Sequence, residues 1–117
     1  MRVLTSCCLA ALATCAAFAA SACETPAMIS IPDGKSATME QLLAAQAQVK
    51  TYMAAMNDYL ACIDGEAEAK GEDAPDQYQA MMATRHNTAV SEMESVAAAF
   101  NDQIKAYKAA NPTPAAN

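Results

Sequence analysis

The chain has 117 residues, 54% of them apolar, but thirty of those apolar residues are alanine, so the fraction overstates the core it can build. Over residues 23–117, Leu, Ile, Val and Phe number only 11, supplemented by seven Met and four Tyr, which leaves material for one small domain and excludes a broad enzyme-sized core. The same stretch carries thirteen Asp and Glu against six Lys and Arg, a net charge of −7 with no basic cluster; nucleic acid and anionic membrane surfaces are therefore excluded as expected partners.

Residues 1–22 read as a secretory signal peptide. Arg2 is a short positive region, Val3 to Phe18 an apolar one, and Ala20-Ser21-Ala22 places small residues at the −3 and −1 positions of a cleavage site before Cys23. The apolar run is nearly long enough to stay in a membrane as an anchor, but alanine makes up most of it and the A-x-A pattern favours cutting. Cleavage removes Cys7, Cys8 and Cys15 and leaves Cys23 and Cys62. An even pair in a periplasmic or secreted chain is expected to form a disulfide. The competing reading is a lipobox, with lipid on Cys23 anchoring the protein to a membrane. Ala20 stands where that motif prefers Leu, and lipidation would leave Cys62 a lone thiol, so the disulfide is favoured.

Residues 23–37 are expected to form an extended arm, because Pro26 and Pro32 exclude a regular helix and Asp33-Gly34 is a turn signal. Two long helical patterns follow. The first spans about 38–70: Thr38 and Gln41 make a T-x-x-Q capping box, Gly65 weakens the last turns, and Gly71 suits a left-handed C-terminal position. The second spans about 75–110, with Pro75 in its first turn, Asp73 and Asp76 at its positive end, and Asn111 and Pro112 as its stop. Residues 111–117 are expected to be a disordered tail.

Helices of this length in a small chain suggest coiled-coil packing, so the fold class expected is all-α, a long antiparallel hairpin over 38–110. In the first helix Met39, Gln46, Met53, Leu60 and Ala67 fall at one heptad core position and Leu42, Val49, Met56 and Ile63 at the other. In the second, Met82, Ala89, Val96 and Gln103 alternate with His86, Met93, Phe100 and Tyr107. Facing pairs such as Leu42 with Phe100 and Met53 with Ala89 are centred on residue 71, the glycine chosen independently as the turn.

A hairpin with so few large aliphatic residues needs a staple. Cys62 lies about 36 Å beyond Thr38 along a helix, and fifteen extended residues span roughly 50 Å, so the arm can run back along the first helix and join Cys23 to Cys62. The flank that carries Cys62 also carries Ala45, Tyr52, Ala55 and Tyr59. Pro26, Met28, Ile29 and Ile31 are expected to cover it, with Tyr52 and Tyr59 packed on the prolines. Leu43, Val90, Ala97 and Ile104 form a second apolar strip, covered either by the arm crossing over or by a second hairpin in a homodimeric four-helix bundle.

Chemistry-bearing patterns are sparse. His86 is the single histidine, and Met82, four residues before it, with Met56 across the seam, would make a thioether–imidazole set suited to Cu(I). Methionine at heptad spacing is more ordinarily a core filler, so no cofactor is expected. Gly-rich phosphate loops, zinc-ligand spacing and a G-x-S-x-G motif are lacking, and the acidic run Glu66 to Asp76 lacks EF-hand order. An enzyme is not expected. The reading is a non-catalytic binding or scaffolding protein of unknown protein partner, with a soft-metal binder as the alternative.

One further pattern bears on the setting. Ile31-Pro32-Asp33-Gly34, Tyr59-Leu60-Ala61-Cys62 and Arg85-His86-Asn87, followed by Ala89-Val90, Met93-Glu94, Val96-Ala97 and Phe100-Asn101, resemble a group of short, exported, uncharacterised proteins of Gram-negative bacteria. That group has an N-terminal Cys, an I-P-D-G arm and a Y-L-x-C helix. The resemblance covers nearly all of residues 23–117. It implies an exported setting and a Cys23–Cys62 pair, and no activity.

Overall fold

The computed structural model describes residues 23–113. The expected signal segment lies outside the described residues, as does most of the expected tail. Two helices make the architecture, α1 (Met39–Lys70) and α2 (Asp76–Ala110), folded back on one another as a hairpin.

Local sequence sets the helix ends. The Thr38 hydroxyl accepts a hydrogen bond from the Gln41 amide at 3.2 Å, while the Gln41 side chain accepts from the Thr38 amide at 2.8 Å, so two free donors are satisfied reciprocally. Gly71 closes α1 with φ +78° and donates to the carbonyls of Ala67 and Glu68. Its ψ of 178° is extended rather than left-handed helical, a backbone region that essentially only glycine enters. Gly65 does not interrupt the helix, which runs on to Lys70. Pro75 precedes the first turn of α2 with Asp76 at its positive end, and the Asn111 backbone and side-chain amides both donate to the Tyr107 carbonyl at the other. The cross-helix hydrogen bonds Tyr78–Glu66 and Arg85–Tyr59 are both centred on residue 72, one residue from the expected register.

The seam itself is rotated. In α1 the buried residues are Leu42, Ala45, Tyr52, Met56, Tyr59 and Ile63, whereas Met39 is 53% exposed and Gln46 is also exposed. One expected core row, that of Leu42, Met56 and Ile63, is therefore kept. The other is exposed at Met39 and Gln46 but half-buried and packed against the core at Met53, Leu60 and Ala67, and the row carrying Ala45, Tyr52 and Tyr59 is buried more deeply, a turn of the burial axis by roughly 60° at 100° per residue. In α2, Met82, Ala89 and Val96 are buried as expected, and the row of His86, Met93, Phe100 and Tyr107 is half-buried.

The arm causes the rotation. It runs antiparallel to α1 and lies along both helices: Cys23 is disulfide-bonded to Cys62 of α1, and its carbonyl accepts from Arg85 of α2. Eleven residues later, Gly34 donates to the Gln103 side chain of α2 at 2.8 Å. The tyrosine row thus faces a third element instead of water and joins the core. Ile29 and Ile31 pack against the central cluster, and Pro26 lines one hollow with Tyr59 and another with Tyr52. Met28, expected on the packing face, is 66% exposed. An extended chain points successive side chains to opposite sides, so with Ile29 and Ile31 inward, Met28 and Ser30 must point out.

Gly34 shows how closely the arm approaches α2. A Cβ there would overlap the Gln103 carbonyl and stand 3.0 Å from the Tyr107 nitrogen. The residue is glycine for lack of space, and the turn that follows is held by Asp33, whose carbonyl accepts from the Ser36 and Ala37 amides. Of the second strip, Leu43 is 58% exposed, while Val90, Ala97 and Ile104 are half-buried.

Candidate functional site

Two arrangements at the turn end of the hairpin bring polar chemistry together. The first is a clasp around Cys23. Glu66 follows Cys62 by one helical turn on the same flank of α1, and Arg85 occupies the facing flank of α2. Arg85 Nη1 pairs with Glu66 Oε2 at 3.1 Å, its Nη2 donates to the Cys23 carbonyl at 3.1 Å, and its Nε donates to the Tyr59 hydroxyl at 3.1 Å. The other Glu66 oxygen accepts from the Cys23 nitrogen at 3.2 Å. One guanidinium therefore ties both helices and the arm into a single node, using its fixed fork of donors.

This node shifts the titration of its phenol. Thr25 of the arm, as a hydrogen-bond donor, and then Arg85 hold the Tyr59 hydroxyl below the usual phenol range, against an opposing push from burial. The Tyr59 hydroxyl in turn, with Glu66, keeps the guanidinium above its ordinary value despite partial burial. Tyr52 behaves oppositely. Burial raises its phenol, the nearby Glu92 carboxylate raises it further, and its hydroxyl makes no hydrogen bond of good geometry within the described residues.

The second arrangement is a groove of about 700 Å³ beside the turn. Ile63, Ala67, Tyr78 and Met82 supply its apolar lining. Asp64 and Glu68, one turn apart on α1, and Glu72 in the turn are exposed carboxylates along it. His86 and Asn87 lie in the same lining. A volume of this size is in the range of ligand sites, and its chemistry is apolar contact edged by negative charge.

The residues considered for soft-metal binding are only partly brought together. Met82 and His86 share the groove lining, but Met56 is completely buried within the packed cluster. The Met82 sulfur accepts a hydrogen bond from Arg85 Nη1 at 3.6 Å, and a fixed cation beside a thioether opposes the approach of a second one. Among the described residues, the one group of His, Cys, Asp and Glu side chains close enough to share an ion is Cys23, Cys62 and Glu66, and the disulfide uses both of its sulfurs.

Sequence reasoning identified Cys23, Cys62, Tyr52 and Tyr59 as parts of the arm flank and missed Glu66, Arg85 and Gln103. A signal existed for Arg85: it is the sole arginine in residues 23–117, on the α2 flank facing the tyrosines. No such signal marked Gln103, which was assigned to the interior seam and instead receives the arm.

No family model matches the chain, and no curated protein or solved structure is significantly similar to it. Among the described residues, no helix is long and apolar enough to cross a membrane.

Proposed function

We propose that the protein is exported and acts without catalysis, as a binding or scaffolding protein that holds a partner segment in the groove at the turn end. The disulfide supports an oxidising compartment such as the periplasm or the extracellular space. The observation that carries the binding reading is the groove, whose floor is the core residues Ile63 and Met82, whose accessible apolar walls are Ala67, Tyr78 and Ala83, and whose edge is Asp64, Glu68 and Glu72 on a strongly acidic chain. Such a surface favours a partner that presents a basic side chain beside an apolar one, because each carboxylate attracts the charge while the apolar lining excludes water from the contact.

The test compares two labelled amphipathic helical peptides of equal length, one of Leu and Lys and one of Leu and Glu, by fluorescence anisotropy. Saturable binding of the Lys peptide alone is expected, weakened at least roughly tenfold, or about 1.4 kcal/mol, by Ala83→Trp, which fills the groove from an exposed helix position. Glu68→Lys should weaken it comparably and make it less sensitive to salt. Equal binding of both peptides, or binding unchanged in both variants, would refute the reading.

A further inference from the structure

The backbone nitrogen of Cys23 is held in a way that an interior peptide bond does not require. It donates to Glu66 Oε1 at 3.2 Å, while the opposite oxygen of the same carboxylate is engaged by Arg85 at 3.1 Å. The carbonyl of Cys23 is gripped by the same arginine at 3.1 Å, and its sulfur is bonded to Cys62. Every polar group of one residue is thus fixed, and a carboxylate is aimed at the nitrogen. The sequence immediately before it is Ala20-Ser21-Ala22, the small-residue pattern of an export cleavage site.

We infer that the mature chain begins at Cys23, and that Glu66, steadied by Arg85, is the seat for its freed α-ammonium group. The inference rests on the exported reading above and specifies its product. An export peptidase that accepts small residues adds water across the Ala22–Cys23 amide. Ala22 leaves as a carboxylate, and the Cys23 nitrogen becomes an amine that takes a proton at neutral pH. A neutral amide donor to Glu66 is then replaced by an ammonium group, and the contact becomes a charge-assisted pair. Arg85 meets the carbonyl of Cys23 and the far oxygen of Glu66, so the two cations occupy different oxygens of one carboxylate. The Cys62 bond also occupies the sulfur that lipidation would need, so the amino-terminal cysteine is held by protein groups instead of lipid.

The full chain is expressed with export, the purified protein is weighed intact, and its α-amine is followed by competitive labelling across pH. The expected mass is that of residues 23–117 with one disulfide and no acyl group. The Glu66 carboxylate favours the protonated amine by about one unit. Arg85, bonded to the Cys23 carbonyl, opposes it in the wild type and in Glu66→Gln alike, so the difference between the two reads the carboxylate. The folded wild type should therefore label on the order of tenfold more slowly at neutral pH than Glu66→Gln, one pKa unit being tenfold in free amine. Glu66→Asp should recover part of the protection. The wild type unfolded in denaturant provides a second reference, so the comparison stands even if Glu66→Gln does not fold. Equal labelling of folded and unfolded wild type overturns the inference. An exported chain cut elsewhere, or acylated at Cys23, overturns it while leaving export intact; a chain retained with Arg2 still attached overturns both.

Discussion

Breaking the Cys23–Cys62 bond tests the central architectural claim, that the hairpin stands because an arm is stapled along it. The bond closes a loop with a sequence separation of 39. In the chain-entropy description, removing a cross-link over such a loop returns about 13 cal/mol/K to the unfolded state, or about 4 kcal/mol at room temperature. That is close to all the stability a single core of this size supplies, and for a domain under 100 residues it corresponds to a fall in Tm of roughly 20 °C. The change should also be local, because the arm would keep only its grip at Arg85, Ile29, Ile31 and Gly34. The assay is thermal unfolding by circular dichroism of the oxidised protein, the reduced protein and Cys62→Ser, with hydrogen exchange at the arm amides. Cys62 is exposed, so mild reductant should suffice. The expected result is loss of protection at Gly34 together with a large fall in Tm. A shift below about 5 °C, less than a quarter of the chain-entropy expectation, with the arm still protected, would refute the reasoning.

Gly34→Ala should destabilise by about 1–3 kcal/mol, the usual cost of forcing atoms into a filled site, since its Cβ would overlap the α2 backbone at Gln103; urea unfolding measures this, and a neutral result would mean the arm does not touch α2 there. The tyrosines should titrate apart when phenolate absorbance is followed with pH. Tyr59, with its folded pKa lowered, should ionise first, and its contribution to stability appears as pH rises from that lowered value to the ordinary phenol value of about 10. Tyr52, with its folded pKa raised, should ionise late, costing stability as pH climbs from the ordinary value toward the raised one. Tyr59→Phe should remove the early phase and Tyr52→Phe the late one. Tyr52→Phe should also be neutral or slightly stabilising at neutral pH, because it deletes a buried hydroxyl without a partner.

The sequence by itself determined whatever depends on neighbours in the chain. The Thr38–Gln41 box, the Gly71 stop and the Pro75 and Asn111 ends are local hydrogen-bond and dihedral problems, and their solutions lie within a few residues of each end. The path of the arm and its bond to Cys62 followed from the length of the arm and the two cysteines left in residues 23–117 once the expected signal segment is set aside, which are also properties of the string. Tertiary structure alone decided which face of α1 is the core. Turning a helix by roughly 60° about its own axis changes none of its internal hydrogen bonds, so heptad spacing could not distinguish the row of Met39 and Gln46 from that of Tyr52 and Tyr59. The choice fell to the arm, which brought Ile29 and Ile31 to one flank and left the other half-buried at Met53 and Leu60 and open to water at Met39 and Gln46. The same reason hid the phase that exposes Met28, the close approach that requires Gly34, and the node of Glu66 and Arg85. Each is a contact among three segments, and its energy exists only once all three are in place.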